Sequence, residues 1–437
     1  MQQKSKIAFC VPTKDRISCI KELLSDIPRI NAICEMDVYI YDSSVSDDVE
    51  RCVNSHNKLY NIIYKRVGEY KDINGKVYKG TDQAALKLYD IYFEIAEKQM
   101  YDYVWVCGDG IRFSDNIYRE INKLEKDFDF VSIVVDNLNE YVYKKRQDVV
   151  WYNPEEYLKY NTGMNTLFGG VLVNTRAIKY VDFNDVSKWY KDTCYLSYAY
   201  IRLYAEMAMK SPKFKSISIF DDNGIKCSKY KLDSGWRDDF FDIFYECFIN
   251  VVNSFPIDNE YKEFIIEDFY KKNIMFDEFM LEYMRWRGGF DYKILNKWRK
   301  YIECAIPYET AKKIADIPQG LIIEKATNLK NEFINFIEEH KQLYIYGAGY
   351  YGARYQAIVE HNGYKIDGFI VTNKANNPDY IDGYKVYVYD EIKNDIKNAG
   401  IILGLDENNA RQVRENIEKY VTPDNIYENS KYQLYIY

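Results

Sequence analysis

The sequence predicts an α/β protein in three parts: an N-terminal sheet domain over residues 1–232, a middle helical module over 233–340, and a second, compact α/β unit over 341–437. Three observations predict it. From residue 6 to about 220, short apolar runs of high β propensity alternate with stretches of helical spacing, the pattern of a mostly parallel sheet. From 233 to 340 glycine becomes scarce, and aromatic and acidic residues recur at helical spacing. At Gln342 the strand–helix alternation restarts and continues for about one hundred residues, a plausible domain size.

Taken in order, residues 6–11 (KIAFCV) read as a buried strand that Pro12, Thr13, Lys14, Asp15 and Arg16 end. Ile20, Leu23, Leu24 and Ile27 lie at helical spacing. Residues 37–41 (DVYIY) and 61–65 (NIIYK) are the next strands, the first closed by Asp42, Ser43 and Ser44. Gly80, Thr81 and Asp82 signal a helix start, with Thr81 or Asp82 as N-cap. Residues 103–107 (YVWVC) form a strand that breaks at Gly108, Asp109 and Gly110, where glycine lets the backbone bend sharply. Such a break holds the Asp109 carboxylate at the mouth of a buried strand; carboxyl ends of strands are where open α/β sheets collect ligands.

A helix is expected over 115–127, a strand over 130–136, and a strand over 166–174 interrupted by Gly169 and Gly170. Residues 187–210 read as one long helical stretch containing Trp189 and Asp192. A strand at 216–220 runs into Asp221 and Asp222. Amphipathic helices follow at 240–255, 261–270 and 276–286, with a connecting helix over 322–339. Strands are expected again at 343–346, 365–372, 385–389 and 401–405.

The composition is globular: 47% of residues are hydrophobic and 29% charged. The net charge of −8 argues against nucleic acid as the main ligand, since phosphate binding needs a basic face. Tyr is abundant, 45 against 22 Phe. A ring with a polar tip suits wet clefts as well as cores, and an AT-rich genome gives the same bias. The nine Cys form no CxxC pair and read as reduced residues. With no signal-peptide pattern and no apolar run of membrane-spanning length, a cytoplasmic location is expected, with contact at the inner face of the membrane left open.

Residues 4 to about 230 resemble the family 2-like, GT-A fold glycosyltransferases, the nucleotide-diphospho-sugar transferases of bacteria. The likeness rests on short motifs in order: IAFCVPTKDR for the opening strand and its Pro-Thr-x-Asn-Arg turn, DVYIYDSSVSD for the second strand, the helix start at 80–84, and VWVCGDG where the family has its metal-binding Asp-x-Asp. The resemblance implies a UDP-sugar donor and a hydroxyl acceptor on a surface polysaccharide or a glycoprotein glycan, lipid-linked or protein-borne. Pro12, Thr13 and Arg16 would floor the nucleotide pocket. Asp42, with Ser43, would meet the base. Asp82 would contact the nucleotide or sugar; as a plain reading, it is a helix cap, and Asp42 a turn residue.

Asp109, beside Gly108, would bind a divalent cation, Mn2+ or Mg2+, bridging the diphosphate. Cys107 and Gly108 stand where the family has further acids, so Asp109 is alone unless Asp221 or Asp222 joins it. Gly169 and Gly170 would let the backbone approach the donor sugar. The family's inverting members carry a general base in a Glu-Asp pair; here Lys191 and Asp192 match it, and Asp192 is the expected base. Trp189 would stack on an acceptor sugar, with Trp236 as a second acceptor-side candidate or a core residue.

In the second α/β unit, GAGYYG places Gly347, Gly349 and Gly352 after a strand and at a helix start, a nucleotide-binding pattern. The following strand ends in Thr372, Asn373 and Lys374, without the acid that holds a ribose, so NAD(P) binding is disfavoured. The unit resembles the Rossmann-like domains appended to bacterial sugar-modifying enzymes, which implies nucleotide-sugar binding or a structural and assembly role. An NAD(P)-dependent oxidoreductase or epimerase and a non-catalytic scaffold are the alternatives. A homo-oligomer is left open.

Overall fold

The computed structural model describes residues 5–56, 61–72, 74–190, 196–230, 236–375, 377–429 and 433. They fall into two compact units: residues 1–228 with 235–316, and residues 229–234 with 317–437. The helical segments after residue 236 therefore group with the first sheet, and the helix Gln319–Glu339 groups with the second.

The first unit is built on an eight-stranded mixed sheet. The strands of the whole unit in chain order, eight in this sheet and two in a separate pair, are β1 (Ile7–Thr13), β2 (Asp37–Asp42), β3 (Ile62–Arg66), β4 (Tyr103–Val106), β5 (Ile111–Phe113), β6 (Phe130–Val134), β7 (Val149–Trp151), β8 (Val171–Asn174), β9 (Ser216–Phe220) and β10 (Ile225–Cys227). The sheet order is β3-β2-β1-β4-β8-β6-β9-β7, and β5 pairs with β10 separately. Strands β3, β2, β1 and β4 are mutually parallel, so their carboxyl ends share one edge. β8 runs against β4 and β6, and β7 against β9. The mostly parallel sheet expected from the alternation is present, with β7 and β8 reversed.

The central strands are apolar because both their faces are covered. Trp105 on β4 is fully buried, with Phe9 edge-on at 5.1 Å and Phe113 at 4.6 Å. Its indole N–H donates to the Gly169 carbonyl at 2.9 Å. The helix Gly80–Glu97 packs on this sheet, and tyrosines fill its surroundings. Tyr92 and Tyr204 share a hydroxyl–hydroxyl bond of 2.7 Å, and the Tyr190 hydroxyl donates to the Ala85 carbonyl at 2.8 Å. Apart from Trp105, the largest fully buried side chains are all tyrosines. Much of the Tyr surplus is thus core, with hydroxyls such as those of Tyr92, Tyr190 and Tyr204 hydrogen-bonded internally.

Several boundaries differ from the sequence reading, for local reasons. β1 continues through Pro12 to Thr13, because a proline lacks only a donor and the strand still pairs in register with β2. The strand expected over 166–174 begins only at Val171. Gly169 adopts φ +101°, and the Gly170 N–H closes a turn on the Leu167 carbonyl at 2.8 Å. The helix start near 80 is capped by Lys79, not by Thr81 or Asp82. The long stretch over 187–210 contains two helices, Phe183–Tyr190 and Ala199–Lys210, and residues 191–195 lie outside the described residues. Two helices the periodicity did not reveal are Asp48–His56 and Pro154–Asn165. The latter has a readable start, since Asn153 accepts from the Glu155 and Glu156 N–H groups and Pro154 follows it.

The second unit carries a six-stranded sheet of β11 (Leu343–Tyr346), β12 (Gly368–Val371), β13 (Tyr380–Ile381), β14 (Tyr384–Val388), β15 (Gly400–Leu403) and β16 (Ile426–Tyr427). Its order is β13-β14-β12-β11-β15-β16, parallel except for β13. Apolar clusters cover both faces; Phe333 and Phe336 of the helix Gln319–Glu339 belong to one of them. Among the described residues no helix is long and apolar enough to cross a membrane.

Candidate functional site

The carboxyl ends of β1, β2 and β4 bring three of the sequence-singled clusters together. Asp109 sits just beyond β4 and is only 4% exposed. One of its carboxylate oxygens accepts from the Thr13 hydroxyl at 2.8 Å, and the other from Arg16 at 3.1 Å. Thr13 is the last residue of β1 and Arg16 the residue before the helix Ile17–Ile33. The β1 loop is thereby tied to the β4 loop across 93 and 96 residues of chain. Arg112, buried on β5, donates to the Asp109 carbonyl at 2.7 Å.

The bend at 108–110 is a hydrogen-bonded turn, with the Ile111 N–H on the Gly108 carbonyl at 3.0 Å. A Cβ at Gly108 would meet Ile111 and Phe168 only at ordinary contact distances, 3.6 and 3.7 Å. Glycine there is compatible with the turn without being forced by space. Gly169 and Gly170 differ. A Cβ on Gly170 would lie 2.6 Å from the Met164 carbonyl, and one on Gly169 would press on Cys107 and Phe113 at 3.0 Å. Gly169 is thus packed against the end of β4, and Gly170 against the turn that follows the helix Pro154–Asn165.

Asp42, at the end of β2, is fully buried, and its carboxylate is occupied from within the protein. One oxygen accepts from the Ser44 N–H at 2.8 Å and from the Ser44 hydroxyl; the other accepts from the Tyr64 hydroxyl at 2.9 Å and from Arg66 at 3.4 Å. A base N–H would have to displace one of these donors. The geometry is an Asp turn that organises the loop, the plainer of the two sequence readings. Ser43 donates its N–H to the Thr13 carbonyl at 3.1 Å. Asp15 adopts φ +53°, which Asp tolerates better than most residues. Its N–H reaches the Ser44 hydroxyl at 2.7 Å, and its carboxylate takes the Val45 N–H at 3.1 Å. The two loops are cross-laced.

Lys87 is the residue that the sequence reading missed. It lies mid-helix in Gly80–Glu97, is 4% exposed, and donates to the Thr13 carbonyl at 3.0 Å and the Ser43 hydroxyl at 2.6 Å. Burial pulls its pKa down to about 8, against the opposing pull of Asp42 and Asp109. The signal available was a lysine flanked in sequence by Ala85, Leu86, Leu88 and Tyr89, all buried in this helix. Lys87 also lines a cleft of about 320 Å³ walled by Tyr41, Lys65, Arg66, Tyr70 and Asp90.

Other expected residues that the structure describes have partners of their own. Asp82 accepts from the Ser197 hydroxyl at 2.6 Å; burial raises its pKa, against that hydrogen bond and Lys79. Trp189 has a face covered by the Arg202 guanidinium, 4.1 Å from the ring centroid. That face is not open to an acceptor sugar. Trp236, half-buried, packs on Phe240 and Phe244 at 5.9 and 5.4 Å. Asp192 lies outside the described residues. Asp221 is engaged by the Ser114 hydroxyl at 2.6 Å and by Asn116, and Asp222 pairs with Arg146. Each also accepts locally, Asp221 from the Asn223 N–H at 3.0 Å and Asp222 from the Asn223 side-chain amide at 3.1 Å.

The donor set bears directly on a cation. Asp109 is a single carboxylate whose two oxygens already face Arg16 and Thr13. Among the described residues no group of three or more His, Cys, Asp or Glu side chains could hold a metal ion. The residues at the strand ends do not fit a divalent-cation site.

In the second unit the glycines of GAGYYG interlock. A Cβ on Gly352 would lie 2.0 Å from the Gly347 carbonyl oxygen, and one on Gly347, at φ +109°, would lie 2.5 Å from the Gly404 carbonyl oxygen. Gly349 caps the helix Tyr350–His361 and faces open space. Asp367 spends its carboxylate on the Leu343 N–H at 2.7 Å, at the amino end of β11 and away from the glycine turn.

No protein-family model matches the chain, and no curated protein matches it in sequence. Among solved structures it is similar to residues 1–349 of S. aureus TarS, at 11% identity and a TM-score of 0.42, over 74% of this chain and 91% of that one. It is also similar to the mannosyltransferase PcManGT from Pyrobaculum calidifontis, solved with GDP-Man and Mn2+, at 13% identity and a TM-score of 0.40, over 75% and 88% of the two chains. A third likeness is to glucosyl-3-phosphoglycerate synthase from Mycobacterium tuberculosis, solved with Mn2+, UDP and glucosyl-3-phosphoglycerate, at 9% identity and a TM-score of 0.30, over 56% and 80%.

Proposed function

We propose that the chain is a glycosyltransferase that moves a sugar from a UDP-sugar to a hydroxyl acceptor on a glycan. One observation carries the reading: the loops after β1, β2 and β4 converge on Asp109, Thr13, Ser43 and Lys87, at the edge where parallel α/β sheets bind ligands. The adjoining cleft, with Tyr41 and Tyr70 in its walls, accommodates the nucleoside, and Lys87 reaches from the cleft to the strand ends.

In the transfer, the acceptor oxygen attacks the anomeric carbon. The bond from that carbon to the diphosphate oxygen breaks, and the nucleoside diphosphate leaves with the bonding pair. Attack from the face opposite the diphosphate inverts the configuration in this one displacement, and Asp192 takes the proton of the acceptor hydroxyl. Asp82, near the start of the helix that carries Lys87, lies on the donor side. The acceptor is a surface polysaccharide or glycoprotein glycan, met in the cytoplasm or at the inner face of the membrane.

The test is hydrolysis and transfer with a panel of nucleotide sugars, on the wild type and on Asp109→Ala and Asp192→Ala. Turnover of a UDP-sugar that both substitutions abolish is the expected result. A protein that neither binds nor turns over any sugar nucleotide ends the proposal.

A further inference from the structure

The mismatch between the strand ends and a cation site leads further, and rests on the donor reading above. A sugar nucleotide brings a diphosphate, and the leaving group gains charge as it departs. A binding site must supply positive charge there, from a metal or from side chains.

The side-chain charges at the strand ends are distributed unevenly. Asp109 is paired with Arg16, and Asp42 with Arg66. Arg112 reaches Glu22 and backbone carbonyls. Lys87 stands apart from these pairs. Its two hydrogen bonds among the described residues go to neutral oxygens, the Thr13 carbonyl and the Ser43 hydroxyl. An ammonium carries three donors, so one N–H remains. A buried ammonium bound to neutral groups is costly unless an anion comes to it. Lys87 also lines the cleft beside this edge, in a wall that holds Lys65, Arg66, Asp90 and Glu94.

We propose that this protein holds the diphosphate of its donor directly with Lys87 and Arg16, without a divalent cation. Arg16 is 36% exposed, so its guanidinium can turn from Asp109 towards a phosphate and still keep a carboxylate neighbour. Asp109 then acts as the positioning residue for Arg16 and Thr13. A metal at the same place would set two further positive charges against Arg16 and Lys87 with one occupied carboxylate to hold it. The depressed pKa of Lys87 fits a cation whose natural partner is a ligand.

The experiment is calorimetric titration of the full chain with UDP, once in excess chelator and once in millimolar Mn2+ or Mg2+, with uridine and pyrophosphate as further probes. The expected result is UDP affinity equal within about twofold in the two buffers, as follows when no counterion is shared with the ligand. Lys87→Gln and Arg16→Gln should each weaken UDP about tenfold or more, the loss that follows removal of a charge-assisted hydrogen bond, and leave uridine unchanged. UDP binding that appears only with the cation overturns the inference and leaves the donor reading standing. Binding that survives both substitutions overturns the assignment of these two residues. Failure to bind any nucleoside diphosphate in either buffer overturns the donor reading itself. The wild-type comparison needs no variant, so a poorly folding Lys87→Gln does not shelter the proposal.

Discussion

The two mostly parallel sheets of this protein meet the same problem, what to place beyond the carboxyl end of the first strand, and answer it with different materials. Beyond β1 the chain places side chains: Thr13, Asp15 and Arg16, laced to Asp109 and the Asp42 loop. Beyond β11 it places bare backbone, Gly347 and Gly349 with Gly352 one turn on. The first edge gathers charge. The second gathers close approaches, with Gly347, Gly352 and Gly404 each leaving no room for a Cβ. A glycine motif of this kind reads as phosphate binding, yet packing alone accounts for three of these glycines. Only Gly349, facing open space, has its position unexplained by packing. A pattern of residue types can therefore have two physical causes, and distances decide between them.

The strongest way to break the comparison is at Asp109. Asp109→Ala should lower transfer by about 10³-fold, comparable to the loss of a preorganised electrostatic partner. Steady-state turnover of a UDP-sugar checks it; a loss under tenfold would make the charged edge structural only. Next, Gly352→Ala should destabilise the second unit by about 3 kcal/mol, since its Cβ would overlap a carbonyl oxygen and the strand or helix must shift. Denaturant melts of the full chain should show that loss while UDP affinity stays unchanged, which separates the two edges.

A smaller effect should appear with pH. Lys87 titrates at about 8 in the folded chain, against an ordinary value of 10.5 that it regains on unfolding. Between these values the unfolded chain binds the extra proton, so this residue makes stability rise with pH across that window. UDP affinity should do the opposite and fall as pH passes 8, because the ammonium is lost. The charges acting on Lys87 are Asp42, Asp109, Lys14 and Asp15, so a pH profile is best compared with that of Lys87→Gln, which should be flat there. The smallest effect belongs to Gly349→Ser. A serine at this N-cap should stabilise the helix by about 0.3 kcal/mol, visible as a slight rise in melting temperature. A marked loss instead would mean that this space is needed.

Much of the first site was legible in the sequence because strand ends are local events. An apolar run such as YVWV must be buried, and the polar or glycine residues after it must mark where the strand leaves the sheet. Asp109, Thr13 and the Asp42 loop were found in that way. Their partners were not found, since each comes from far along the chain: Arg16 to Asp109, Tyr64 to Asp42, Lys87 to Thr13. Trp189 looked open to a sugar ring until Arg202 was found stacked on it.

The sequence by itself determined the α/β alternation, the existence of the longer strands though not of the short β5, β7, β10, β13 and β16, and the placement of polar residues at their carboxyl ends. Hydrophobic periodicity and turn chemistry act over a few residues, so they can be read without the fold. Only the tertiary structure decided which carboxylates are already spoken for, which glycines are there for want of space, and that a lysine from the middle of a helix reaches the strand ends. Those outcomes depend on hydrogen-bond saturation and on contacts across tens of residues, which exist only once the strands lie side by side.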